Sequence, residues 1–155
     1  MNATHCTPAI IMSDGTVPYY DGLLTIKELH SLSSAPCMEE KIKQASFLAI
    51  FSGLQYEKIQ KLTYGQLRNL RLPNSVFRHY DGKSPDHHLV FENLPDKSWL
   101  SVFLNRWKKS ASIRHRLTFH GFCHTHLHLT MQDIDLDELF KSLHLERTHY
   151  EKDHR

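Results

Sequence analysis

The sequence predicts a mainly α-helical single domain, α+β at most. Three observations carry this. Apolar residues recur at helical spacing in several segments, start and stop signals bracket those segments, and only one short stretch reads as extended. With 155 residues the chain is long enough for one domain with a real core.

Met1 to Gly22 contains Pro8, Gly15, Pro18 and Gly22 without a sustained period, so residues 1–23 read as an arm or linker. Thr25-Ile26-Lys27-Glu28 has the form of a capping box, in which hydroxyl and carboxylate each accept from an orphan backbone N–H. It opens a helix to about Ser33, broken by Ala35-Pro36-Cys37. Glu39 to Phe51 is the clearest helix, with Ile42, Ala45, Leu48 and Ala49 inward. Glu39, Glu40, Lys41 and Lys43 are expected in water. Gly53 supplies its stop. A short helix over Gln55–Lys61 offers Ile59 and Leu62 to the core, and Tyr64-Gly65 marks a turn. From Leu70 to Asp96, Pro73, Gly82, Pro85 and Pro95 interrupt the pattern, and only His88-Leu89-Val90-Phe91 looks extended. Lys97–Lys109 is helical, its stripe of Leu100, Phe103, Leu104 and Trp107 falling at i, i+3, i+4 and i+7. Thr118 is a natural N-cap for a helix running from about His120. A last helix turns Leu136, Leu139, Phe140 and Leu143 inward, with Asp133 or Asp135 near its positive end. The tail from Glu146 to Arg155 is highly charged.

The hydrophobic share of 40% and charged share of 23% are ordinary for a soluble globular protein. No apolar run approaches the ~20 residues a membrane helix needs, and no basic region precedes the short Pro8–Met12 patch as a signal peptide would require. The three cysteines, Cys6, Cys37 and Cys123, are odd in number and far apart, which points to a reducing, cytoplasmic setting. The net charge of +2 and pI of 8.4 permit a polyanionic partner without requiring one.

The most unusual stretch is Thr118 to His128, where His120, Cys123, His124 and His128 can share one helical face. Three readings are open at this point: a solvated face of a histidine-rich chain, a transition-metal site built on imidazoles four apart with a thiol, or a phosphodiester site.

The order of the pieces adds a resemblance. Leu24-Thr25-Ile26-Lys27-Glu28-Leu29, the run Ala45 to Gln55, and Ile59-Gln60-Lys61-Leu62-Thr63-Tyr64 resemble the start of the catalytic domain of the tyrosine recombinase (phage integrase) family, Bacteroidetes-type. Pro36-Cys37 falls between the first two helices, as in those integrases. Leu117 to Thr125 resembles the family's His-x-x-Arg-His-Thr box. Leu143-His144 and Tyr150 resemble its Leu-Gly-His element and its nucleophilic tyrosine, so the resemblance runs from about Leu24 to Lys152 and implies a domain over 24–152 with a tail of 153–155.

The resemblance implies an integrase-core domain that grips a scissile phosphate with two arginines and histidines, here His120 and His144. A tyrosine, here Tyr150, forms a 3′-phosphotyrosyl link, without metal or other cofactor. Guanidinium groups suit such a centre because they stay charged and meet phosphate oxygens bidentately. This sequence departs from that pattern. Gln55 and Cys123 stand where the arginines would, the lysine-bearing β-hairpin is shortened so that Lys83 is its nearest candidate, and the spacing from His144 to Tyr150 is reduced. Loss of one preorganised donor costs roughly 10²–10³ in rate, so impaired strand transfer is expected. DNA is the implied partner, contacted through Gln55, Cys123, His124, Lys83, Lys108, Arg114 and Arg116, with Lys109 in the same basic run. An intact recombinase or a second copy of the chain is a further expected partner. The alternatives are a histidine-rich metal-binding module and a non-catalytic partner of an intact recombinase.

Overall fold

Ten consecutive residues, Ile42 to Phe51, are buried in a helix whose sequence reads as amphipathic. The computed structural model describes residues 23–143 and 145; among these it contains eight α-helices and no sheet, so the chain is mainly α. They are α1 (Ile26–Ser34), α2 (Glu40–Ser52), α3 (Tyr56–Gln60), α4 (Tyr64–Asn69), α5 (Asn74–Tyr80), α6 (Lys97–Ser110), α7 (Phe119–Met131) and α8 (Leu136–Ser142). No described helix is long and apolar enough to cross a membrane.

Local chemistry sets the helix ends. Thr25 and Glu28 form the expected capping box of α1. Gly53 ends α2 at φ +81°, where a side chain is strained, and a Cβ there would also lie 2.8 Å from the His126 ring. Thr118 caps α7 through the Gly121 N–H, and Asp135, not Asp133, caps α8.

The central helix is α2, and α7 packs on it most extensively. Both are buried nearly all round because the other helices cover them, which explains why neither shows a clean polar face. Lys43, expected in water, is only 8% exposed; its stem lies in the core and its ammonium donates to the Ala35 carbonyl at 2.9 Å. The α6 stripe docks as expected, with Leu100, Leu104 and Trp107 buried and Phe103 partly so. The Trp107 indole N–H donates to the Leu32 carbonyl at 3.2 Å, tying α6 to α1, and its ring meets Phe47 and Phe122 edge-on.

The stretch 64–80 differs from its sequence reading. Tyr64-Gly65 begins a helix, not a turn: Thr63 and Gln66 form a second capping box, a signal present in the sequence. Helix α5 follows Pro73 and is tied to α8 by Ser75, whose N–H donates to the Asp137 carboxylate at 2.8 Å. That bond and Lys141 hold the Asp137 carboxyl down to about 2. The extended piece at His88–Phe91 pairs with the chain before α4 only through one bridge, Thr63 to Leu89. The region around Lys83 is a loop clamped by Arg68, which reaches the carboxylates of Asp81 and Asp86 and the Ser84 carbonyl.

His126 makes stability pH-dependent in a separate window. Its Nδ1–H donates to the Ile50 carbonyl at 2.9 Å, and burial pushes its pKa below the ordinary value. The folded state therefore prefers the neutral ring. This contribution is complete above the unfolded pKa of about 6.5 and is lost as pH falls through the lower folded value. The Asp137 contribution lies lower, lost only as pH drops from about 4 toward 2. Thermal melts between pH 7 and 5 should show His126→Gln losing less stability on acidification than wild type; parallel profiles would contradict this.

Candidate functional site

The cleft at the N-terminal end of α7 is built from three chain segments. Gly53 turns the chain out of α2, so that Leu54 and Gln55 pass beside α7. Gln55 is the N-cap residue of α3, but its side chain does not bond the helix N–H groups; it lines the cleft instead. The opposite wall comes from α6, with Lys97, Leu100 and Ser101, and the floor from Arg116 to His120 and Cys123. The open cleft has a volume of about 340 Å³.

Gln55 is thus brought from a distant part of the sequence to the same cleft as His120 and Cys123, which are neighbours on one face of α7. Their roles differ. His120 is exposed at the rim, and its Nε2 lies 2.8 Å from the His124 Nε2, one ring donating and the other accepting. While that bond stands, the two rings cannot both carry a proton on Nε2. Cys123 is 1% exposed, and its thiol donates to the Leu54 carbonyl at 3.4 Å. An arginine at 123 would have to displace that packing, whereas one at 55 has the cleft to enter.

The charged residues of the cleft include two that sequence reasoning did not single out. Lys97 forms an ion pair with Glu57 across the mouth, and this holds the Glu57 carboxyl below its usual range. Both side chains are more than half exposed, so the pair is a weak latch. Their signal in the sequence was slight: Lys97 follows the Asp96 cap of α6, and Glu57 lies in the first turn of α3. Tyr56 also lines the cleft, but its hydroxyl donates to the Pro95 carbonyl at 2.5 Å. Burial, with the nearby Asp96 charge adding to it, pushes its pKa up to about 12. Its hydroxyl is thus engaged with the Pro95 carbonyl as part of the cleft wall.

Arg116 lines the cleft and also a second depression beside it, a groove of about 450 Å³ along α6. Arg106, Lys108 and Lys109 join Arg116 there, and no carboxylate lines the groove among the described residues. Lys108 is fixed to the groove wall by donating to the carbonyls of Arg114 and His115. Cleft and groove therefore share Ser101, Arg116 and Leu117 as a common edge, where Arg116 is the charged residue.

The remaining sequence candidates fall elsewhere. Arg114 is exposed and lines neither depression. Lys83 has φ +59° in the Arg68-clamped loop and lines neither. His128 is half-buried in the third turn of α7. His144 and Tyr150 lie outside the described residues. Among those residues, no group of three His, Cys, Asp or Glu side chains is arranged to hold a metal ion. The face expected to carry four metal ligands is divided: the Cys123 thiol turns to the Leu54 carbonyl while His120 and His124 bond each other. Compared with models of known families, with curated proteins and with solved structures, the chain matches none.

Proposed function

We propose that this chain is a DNA-binding protein of tyrosine-recombinase type, belonging to a mobile element, whose strand-transfer chemistry is impaired. The observation that carries the reading is the meeting of Gln55, His120 and Cys123 in one cleft continuous with a basic groove. His120 and Cys123 share a face of one helix in any case, so the support lies in Gln55, which a chance similarity of short motifs gives no reason to bring beside them.

On this reading a backbone phosphate enters the cleft, where the Gln55 amide and His120 offer hydrogen bonds. Arg116 brings positive charge that Gln55 and Cys123 do not, and Lys97 adds to it only when the phosphate displaces the Glu57 carboxylate. The flanking duplex lies along Arg106, Lys108 and Lys109, whose contacts position it without reading sequence. Binding survives because the charges of the groove are intact. Strand transfer suffers because a fixed guanidinium is missing from both places where the transition-state charge would be met.

A nicked suicide-substrate assay tests this. Wild-type chain saturated with nicked duplex should leave no covalent protein–DNA adduct, while Gln55→Arg should tighten the complex about tenfold, the worth of one charge-assisted bond. An abundant wild-type adduct that Tyr150→Phe abolishes would contradict the impairment. Failure of the chain to bind duplex at all would contradict the whole reading.

A further inference from the structure

Trp99 stands 58% exposed on α6, and Val102, one turn further along the same face, is 36% exposed. Arg106 follows at i+7 from Trp99, so an indole, an isopropyl group and a guanidinium form one stripe. Val102 and Arg106 are also part of the groove wall with Lys108, Lys109 and Arg116. A single exposed tryptophan needs no explanation. An indole one helical turn before a groove lined by cations and, among the described residues, no carboxylate is a different case.

The partner that fits must offer both dense negative charge and a flat apolar surface. An apolar protein face would cover Trp99 and Val102 but would desolvate the groove cations without matching them. A polyanion without rings would match the cations and leave the indole in water. Duplex DNA supplies the phosphates, but its base faces are already stacked on one another. An unpaired nucleotide supplies both, because every base has a π-face on which an aromatic side chain can stack. From Trp99 to Arg106 the helix rises about 10 Å, so the stripe is long enough to meet a base and a neighbouring phosphate together.

We infer that this face of α6 is a site for unpaired nucleotides: Trp99 stacks on a base while Arg106, Lys109 and Arg116 hold the neighbouring phosphates. The inference rests on the DNA-binding reading above and adds the form of nucleic acid that the groove favours.

The chain has two tryptophans, and Trp107 is buried at 1% exposure, so solvent-sensitive emission comes from Trp99. Titration with single-stranded oligothymidylate should quench that emission saturably. Trp99→Ala should abolish the quench and weaken the complex about tenfold, Trp99→Phe should retain most of the affinity, and a duplex of equal length should bind wild type and Trp99→Ala alike. If both DNA forms bind and Trp99→Ala changes neither, the stacking site is overturned while the DNA-binding reading stands. If neither form binds, both are overturned. If Trp99→Ala alters only self-association in sedimentation, the face is a protein contact and the stacking site is likewise overturned.

Discussion

The double variant Arg106→Glu/Arg116→Glu should bind duplex DNA about 10²-fold more weakly than wild type at 0.1 M salt. Each arginine lost removes one released counterion's worth of affinity, and each glutamate adds repulsion on the same strand. At contact distance near the surface such a charge is worth on the order of 1 kcal/mol or more, so two reversals together reach this size. Both side chains are exposed, and neither belongs to the core, so the fold should persist. Fluorescence anisotropy of a labelled duplex measures the loss, with far-ultraviolet circular dichroism as the check on folding. Equal affinities would remove the groove from the interface.

Trp107→Ala should be the most damaging single change to the fold. The ring is 1% exposed, meets Phe47 and Phe122, and donates its N–H to the Leu32 carbonyl. Its removal leaves a large cavity and an orphaned carbonyl, at a cost of about 3–5 kcal/mol. A domain of this size has about 5–15 kcal/mol in total. Urea denaturation followed at 222 nm should show the midpoint falling by a large fraction, or the variant should fail to fold. A loss under 1 kcal/mol would mean that α6 is not anchored through this residue.

Much of the fold could be read from local signals. The Thr25–Glu28 box, the Gly53 stop, the Thr118 cap and the α6 stripe each depend on chemistry within one or two turns, and each stands where expected. Helices α4 and α5 escaped because Tyr64-Gly65 looks like a turn, and the competing Thr63–Gln66 box decides the conformation there. Lys43 was misplaced for a tertiary reason: its charge is satisfied by the Ala35 carbonyl, a partner that helix periodicity does not reveal.

The candidate site was legible in part. Gln55, His120 and Cys123 were named from the order of segments, and Arg116 and Lys108 from the basic run; the structure gathers these residues at the cleft and groove. Lys97, Glu57 and Arg106 were not singled out, because their roles come from how α3 and α6 approach each other, not from any local motif. The histidine face of α7 shows the opposite failure. Helical spacing places its residues on one side, but burial and the Leu54 carbonyl separate the Cys123 thiol from the histidine pair.

The measurement closest to the central claim is the wild-type titration of the labelled duplex repeated between about 50 and 200 mM salt. Phosphates seated on the groove cations predict that log K falls linearly with log salt, with a slope near −3 for three to four contacts at about 0.9 each. A slope near zero, or no complex at ~50 mM salt, would contradict a polyanion-binding groove beside the Gln55–His120 cleft.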